Sequence, residues 1–361
     1  MKKQLFLGLV VLAALIALGL YGQHKHPFDF PAFAQYFRRA DWTRIAIGAA
    51  CIYLGFVLRA ARWALLIRPS KKVPLFSLLG AQVIGFTGVA LIGRVADLTR
   101  PYLAARKTGL TVSSQLAVYI VERLFDLGSM ALIFSSVILF SGAALPHPEI
   151  FRKVGYWGLA ATLAGAIFLA LIRLAGGMVA TFFEKSISIL SEALAAAVGD
   201  KIRSFRSGLN TLRSPVDLFL TLALSLAMWA LITTAYILTA RAFNDPQLHA
   251  MTLAQGMVLM ASSGVASVIQ LPVVGWFTQI GIVAGVLIKL FAVDPEAATA
   301  CAATLLAVTF LSILPVGLVW AQIEHVSLRR IAVESEHAGE EILDAMTEHS
   351  PTQAPVPATH E

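Results

Sequence analysis

The chain has 361 residues, of which 58% are apolar and only 14% charged, and its mean hydropathy is +0.76. Soluble globular domains contain about 45–50% apolar and about 25% charged residues, so the composition excludes soluble enzymes and disordered regulators. The formal charge is +7. Because little soluble surface is available for nucleic acid, we interpret the basic residues as flanks of membrane spans that meet anionic headgroups.

Apolar runs that could cross a bilayer recur along the whole chain, since a spanning helix needs about 20 mostly apolar residues. We predict an all-α, polytopic membrane protein with about eight spanning helices and one re-entrant segment. The segments are Leu5–Tyr21, Ile45–Ile67, Val73–Gly93, Leu127–Leu145, Val154–Ile172, Leu218–Ala240, two passes within Pro246–Ile288, and Ala297–Gln322. Lys2 and Lys3 before the first run also fit a signal peptide, but no small-residue cleavage site follows, so we favour an uncleaved helix.

These segments define an integral membrane domain over residues 1–322. Within it, we predict that the aromatic stretch 23–44 lies at the outer interface and that the amphipathic stretch 176–214 lies along the cytoplasmic surface. Residues 323–361 are predicted to be a cytoplasmic, largely disordered tail, because their acidic and proline-rich composition cannot form a core.

The segment Val73–Gly93 is the predicted re-entrant one. It has positive residues on both flanks, which disfavours a simple crossing, and it contains four glycines. If it enters and leaves on the same side, the Lys/Arg bias places both termini in the cytoplasm. We therefore predict a multi-pass protein of the bacterial inner membrane.

Ionisable residues at the membrane boundary are the candidate functional residues, because charge inside a bilayer is costly and usually faces a polar cavity. The first group is Arg59 and Arg62, followed by Trp63, at the inner end of the second segment. The i, i+3 spacing places both guanidinium groups on one helix face, where they could bind a phospholipid phosphate. The alternative is that both arginines extend to the interface beside an interfacial tryptophan.

The second group is Arg94, Asp97 and Arg100, whose i, i+3, i+6 spacing would align plus, minus and plus charges along one helix stripe. In this hypothesis Asp97 holds both arginines while their outer donors remain free for an anion. Pro101 fits an early helix turn, and Gly109 is expected to end the helix. The alternative is a solvated face of ion pairs beside the membrane.

The third group is Glu122, Arg123 and Asp126, where the next long helix enters the bilayer. The two carboxylates, at i and i+4, share a face and repel unless a cation lies between them or one is protonated. Arginines of the second group are candidate partners. Structural pairing and transport both remain open.

A fourth candidate is the helix break at Pro272 and Gly275, with Gln279 as a neutral polar contact; the alternative is a simple loop. A weak internal repeat accompanies it, because Thr87-Gly88-Val89-Ala90 and Ser263-Gly264-Val265-Ala266 both precede a predicted break. Catalytic signatures are scarce: the histidines show no metal-ligand spacing and no phosphate-binding glycine loop is present. We predict no enzyme activity, no catalytic residue, no metal and no cofactor.

The motifs Arg62-Trp63, Gly93-Arg94-x-x-Asp97-x-x-Arg100-Pro101, Glu122-Arg123-x-x-Asp126 and Pro272-x-x-Gly275 occur in the order found in one family. The chain resembles, from about Leu5 to Gln322, the lysylphosphatidylglycerol synthase transmembrane family, also described as flippase-like or uncharacterised polytopic membrane proteins. It departs from the family pattern at two places. Asp97 replaces the usual Glu, and the usual Pro-Gly-Gly-x-Gly followed by Glu is here Pro272-Val273-Val274-Gly275 with Gln279 nearby.

The resemblance implies a function in lipid movement. In full-length members this region moves aminoacylated phospholipid between leaflets, while a cytosolic aminoacyltransferase domain, not expected here, attaches the amino acid. We therefore expect a protein that binds or translocates an anionic or amphiphilic lipid, such as an anionic phospholipid, a hopanoid or a glycolipid. The alternative is an accessory subunit of a lipid-modifying or glycosyltransferase enzyme that moves nothing. A third possibility, a transferase that uses Asp97, Glu122 or Asp126 as base, lacks a donor-binding motif.

Overall fold

The computed structural model describes residues 28–141, 145–188, 214–267 and 274–326, and every regular element in these ranges is helical. A short 3₁₀ segment, Arg94–Leu98, joins the helix that ends at Ile92 to the helix that begins at Thr99. A π-helical segment, Ala307–Leu311, joins the helix that ends at Leu306 to the helix that begins at Ile313. The α-helices are α1 (Phe30–Arg39), α2 (Trp42–Ile67), α3 (Leu75–Ile92), α4 (Thr99–Thr108), α5 (Val112–Ser141), α6 (Pro148–Ile187), α7 (Pro215–Ala240), α8 (Pro246–His249), α9 (Leu253–Ala266), α10 (Val274–Phe291), α11 (Pro295–Leu306) and α12 (Ile313–Ile323).

Four stretches of helix in the described ranges are long and apolar enough to cross a membrane: Trp42–Ile67, Ser114–Ser141, Pro215–Ala240 and Pro295–Ile323. They correspond to four of the predicted spans, and Val154–Ile172 lies within α6. Three shorter apolar helices, α3, α9 and α10, cover the predicted re-entrant segment and the two passes after Pro246. The all-α, polytopic membrane class is therefore confirmed. The predicted first span, most of the stretch 176–214 and the tail beyond residue 326 lie outside the described residues.

Capping residues explain where several helices begin. The side chain of Asp41 accepts hydrogen bonds from the backbone of Thr43 and Arg44 at the start of α2. Thr252 forms a capping box with Gln255 at the start of α9. Asp294 caps α11 in the same way as Asp41 caps α2. Because such side chains satisfy backbone N–H groups that have no partner within the helix, they fix the boundaries of these elements.

Helices α2 and α7 pack side by side in opposite directions along most of their length. Arg44 donates to the carbonyl of Arg241 at one end of the pair, over 2.7 Å, and Arg62 donates to Ser225 at the other end, over 2.6 Å. A Cβ atom at Gly48 would lie 3.3 Å from the carbonyl oxygen of Ala235. The small residue therefore lets the two backbones approach closely, as at other helix crossings in membranes.

Helices α3 and α4 form a hairpin whose two ends meet. Gly93, at a φ of 97°, reverses the chain after α3, and Gly109, at a φ of 68°, ends α4 as the sequence predicts. The Lys71 ammonium donates to the carbonyl of Thr108 over 2.6 Å, and Lys107 donates to the carbonyl of Ser77 over 3.0 Å. The chain before α3 and the chain after α4 therefore lie close together, and the re-entrance of this segment in a membrane stays a prediction.

The two copies of the predicted repeat occupy similar positions. The first copy ends near the C-terminus of α3, and the second ends at the last residue of α9. In each case a helical hairpin partner follows, α4 or α10, and then a longer helical stretch, which is α5 after α4 and Pro295–Ile323 after α10. Thr87, from the first copy, and Ser263, from the second, are both buried.

Candidate functional site

The C-terminal third of α2 carries two arginines on its buried face. Arg59 and Arg62 are 9% and 1% exposed, and Trp63, which directly follows Arg62, is fully buried. The alternative in which these side chains extend to a wet interface is therefore wrong. Their i, i+3 spacing instead directs both guanidinium groups into the helix bundle, towards α5.

Glu122 and Asp126 of α5 receive these arginines. Glu122 accepts from Arg62 over 2.9 Å and from Arg59 over 3.3 Å. Asp126 accepts from Arg59 over 3.2 Å, and its other oxygen lies 2.6 Å from Arg62 as an ion pair. The i, i+4 carboxylates thus have cations between them, which removes the repulsion that their spacing implies. Both are buried, and Glu122 has no exposed surface.

The hairpin brings Arg100 to the same carboxylate. Its Nη2 donates to both oxygens of Glu122, over 2.7 and 2.8 Å, its Nε donates to Gln82 of α3 over 2.7 Å, and its Nη1 donates to Asp97 over 3.3 Å. An arginine of the predicted second group therefore pairs with the third group, as expected. The hypothesis that the outer donors of Arg100 stay free for an anion is wrong, because each of its nitrogens already donates to a side chain.

Asp97 has the bracing position that the sequence predicts. Besides Arg100, it accepts a hydrogen bond from the Tyr119 hydroxyl over 2.5 Å. The backbone of Arg94 lies in the 3₁₀ segment, but its side chain lies outside the described part of the structure. The predicted stripe of plus, minus and plus charges is therefore described only for Asp97 and Arg100.

Aromatic rings and one glycine shape the space around these charges. The guanidinium of Arg100 lies 4.6 Å from the ring centre of Phe86, 5.5 Å from Trp63 and 5.6 Å from Tyr119. A Cβ atom at Gly85 would lie 2.2 Å from Cγ of Arg100. Only glycine therefore lets the Arg100 side chain pass α3 and reach Glu122, while the ring faces stabilise its positive charge.

Arg123 is the least satisfied member of the cluster. Its Nη2 lies 3.4 Å from Asp126 and 3.6 Å from Glu122, and its guanidinium lies 5.1 Å from the ring centre of Tyr119. Its Nε and Nη2 atoms are buried without a hydrogen-bond partner, although about a third of the side chain is exposed. Arg123 thus has a partly exposed side chain and N–H groups that could donate hydrogen bonds to a ligand.

Together these residues form a buried charge cluster, which we define as Arg59, Arg62, Asp97, Arg100, Glu122, Arg123 and Asp126. Among the side chains that the structure describes, four guanidinium groups here contact three carboxylates, one positive charge in excess. Arg62 lies five residues from the end of α2 and Glu122 lies ten from the start of α5. At 1.5 Å per residue the cluster is roughly 8–15 Å inside the helix ends, within the depth of a bilayer core.

The predicted break after α9 is described only in part. Pro272 lies outside the described residues, and Gly275 is buried in the first turn of α10. Gln279 is buried and donates to Ser263 of α9 over 2.6 Å. Its described hydrogen bond thus joins the two helices of this hairpin and does not reach the charge cluster.

Four polar contacts of the site were missed by the sequence predictions, and one of them is the hydrogen bond that Tyr119 donates to Asp97. Gln82 and Ser225 hold arginines of the cluster, and Gln115 accepts from the indole of Trp63 over 2.9 Å. A signal existed for Gln82 and Ser225, because each is an uncharged polar residue within an apolar run, whereas Gln115 follows two serines. Within the described ranges, no group of three histidine, cysteine or acidic side chains is placed to hold a metal ion.

The comparison with protein families agrees with this architecture. A family model described as the lysylphosphatidylglycerol synthase TM region matches residues 5–317, which include every member of the buried charge cluster. No individual curated protein matches the chain. The chain therefore belongs to the lysylphosphatidylglycerol synthase TM region family.

Proposed function

We propose that this protein binds an anionic or amphiphilic lipid and moves its headgroup between the leaflets of the bacterial inner membrane. Membership of the family associates the chain with lipid metabolism or transport. The observation that carries the proposal is the buried charge cluster, with one excess positive charge and an arginine whose donors lack partners. In a low-dielectric interior, an uncompensated charge favours the entry of a counter-charge.

A lipid phosphate is the counter-charge that fits. A guanidinium group offers planar, paired donors that match the oxygens of a phosphate. Arg123 would make the first contact at the open edge of the cluster, and the aromatic faces of Tyr119 and Phe86 would keep the arginines positioned as the headgroup passes. In this proposal the protein performs transport without catalysis, and both termini are cytoplasmic.

Liposomes containing the purified protein test this function. A phospholipid with a fluorescent headgroup is bleached by an impermeant reductant only where it reaches the outer leaflet. With the wild-type protein, we expect the bleached fraction to exceed the fraction of fluorescent lipid that starts in the outer leaflet. With Arg123→Gln, we expect the bleaching to be slower. Arg68→Gln is the matched control, because Arg68 is exposed just after the end of α2. Equal rates in empty liposomes and in liposomes with the wild-type protein would refute transport.

A second candidate function is a membrane subunit that anchors a lipid-modifying or glycosyltransferase enzyme. The observation that favours it is the close pairing of Arg59, Arg62 and Arg100 with carboxylates, which is what a static core requires. Copurification of such an enzyme, combined with inactivity in liposomes, would support this alternative over transport.

A further inference from the structure

The last described span is interrupted by a π-helical turn. Residues Pro295–Ile323 form one apolar stretch, but within it Ser312 donates its N–H to the carbonyl of Ala307, five residues earlier, over 2.7 Å. Pro315 follows in the first turn of α12. Because proline lacks an N–H and its ring crowds the carbonyl four residues before it, the regular helix cannot continue unbroken through this region. Isolated π turns within helices are frequent at functional sites and at kinks.

Hydroxyl groups from three other helices meet this turn. Tyr53 of α2 donates to the carbonyl of Ser312 over 2.7 Å. The Thr87 hydroxyl of α3 donates to the carbonyl of Val83 over 2.9 Å and also lies 3.3 Å from the carbonyl of Ile313. On another side, the buried Tyr236 of α7 lies close to the side chains of Ser263 and Thr309. Tyr53 and Thr87 thus give the carbonyls of Ser312 and Ile313 hydrogen-bond partners outside their own helix, so a change of bend at the turn leaves fewer backbone groups without a partner.

The two halves of the span belong to different packing groups. Helix α11 packs against α10 and α1, whereas α12 packs against α3. At its end, Glu324 accepts from Trp320 over 2.9 Å and pairs with Lys107 of α4. A Cβ atom at Gly317 would overlap the Thr87 side chain, so α12 and α3 are in intimate contact. We define the hairpin body as α3, α4 and α12.

The hairpin body also carries Arg100, which holds Glu122 of α5. We propose that the π-helical turn is a hinge about which the hairpin body tilts, and that this tilt draws Arg100 away from Glu122 and opens the buried charge cluster. The coupling to lipid rests on the proposed function. The hinge itself rests on the turn, its hydroxyl partners and the division of packing on its two sides.

Spin labels on the two sides of the turn test the hinge. Ile323 is about 20 Å along the helix from the turn, so a tilt of about 20° would displace it by about 7 Å. We place labels at exposed positions Lys289 and Ile323 in a Cys51→Ala, Cys301→Ala background. The control pair, Leu91 and Ile323, lies within the hairpin body.

We expect the Lys289–Ile323 distance to change by about 1–3 Å between bilayers of phosphatidylcholine alone and bilayers that also contain phosphatidylglycerol, because most of the displacement is perpendicular to the line that joins the two labels. The Leu91–Ile323 distance should stay constant. Pro315→Ala restores the missing N–H, so it should reduce the shift. An unchanged Lys289–Ile323 distance in the wild-type protein, or an equal change in both pairs, overturns the hinge.

Liposome transport by the same variants separates the two proposals. Transport without the distance shift refutes the hinge and keeps the function. The shift without transport keeps the hinge and refutes the function. If Pro315→Ala loses both the distance shift and the transport while its stability in detergent stays at the wild-type value, the result supports a coupling of the hinge to transport.

Discussion

Replacing Glu122 with glutamine should be the most damaging conservative change in the buried charge cluster. The side chain is fully buried and lies within 3.3 Å of Arg59, Arg62 and Arg100. Glutamine keeps the shape but removes the charge, so the excess among the described residues rises from one positive charge to two. Because removal of one partner leaves other charges buried and uncompensated, we expect Glu122→Gln to lower the free energy of unfolding by about 3–5 kcal/mol.

The measurement is unfolding by sodium dodecyl sulfate in mixed micelles, followed by a spectroscopic signal of tertiary structure. Asp41→Asn is the matched control, because Asp41 pairs with Arg44 at the surface and both side chains are over a third exposed. Asparagine still caps a helix well, so we expect the control to cost only about 0–1 kcal/mol.

A second variant separates charge from shape. Adding Arg59→Gln to Glu122→Gln restores the original excess of one charge, so the double variant should be more stable than Glu122→Gln alone. Such coupling between contacting residues is expected to be non-additive. The reasoning is refuted if Glu122→Gln lowers the free energy of unfolding no more than Asp41→Asn does. It is also refuted if the loss in the double variant equals the sum of the losses in Arg59→Gln and Glu122→Gln.

Three further outcomes are expected. Cysteines at Lys71 and Arg106 should be labelled from the same side of the membrane by an impermeant thiol reagent; labelling from opposite sides would make α3 a true crossing. Arg100→Lys should lower both stability and lipid movement, because an ammonium group cannot contact Gln82, Asp97 and Glu122 with a planar fork; wild-type values for both would contradict the assigned geometry. Gly85→Ala should reduce lipid movement with normal membrane insertion, since its Cβ would displace the Arg100 stem, and unchanged transport would show that Arg100 has room to adjust.

Much of the fold follows from the sequence because membrane spans carry a strong one-dimensional signal. The apolar runs around Ile52 and Leu220 lie in helices close to the predicted ranges, whereas α5 begins at Val112, well before the predicted start at Leu127. The end of α4 at Gly109 was also predictable, because a left-handed residue after a helix favours glycine. A charged residue within such a run usually faces a polar cavity or pairs with an opposite charge, which is why Arg62 and Glu122 were identified as candidate site residues.

Pairing between helices could not be predicted in the same way. Spacing within α5 indicates that Glu122 and Asp126 share a face, but it does not identify the arginines that reach them. Arg59 and Arg62 fill that role from a helix about sixty residues earlier. Their burial depends on the approach of α2 to α5, and sequence distance alone gives no measure of it. The π-helical turn was missed because Pro315 lies in a run whose hydropathy reads as one uninterrupted span.

The separation of 60 residues between Arg62 and Glu122 has a consequence for biosynthesis. The ribosome delivers the arginines of α2 to the translocon before their carboxylates exist, and an arginine at the centre of an inserting helix costs about 2.5–3.5 kcal/mol. The long side chains of Arg59 and Arg62 can extend from the C-terminal third of α2 towards the headgroups until α5 arrives, so final docking of α2 follows the synthesis of α5. A chain truncated after residue 111 with a cysteine at position 59 should accordingly be labelled from the cytoplasm, whereas the same cysteine in the full chain should be protected.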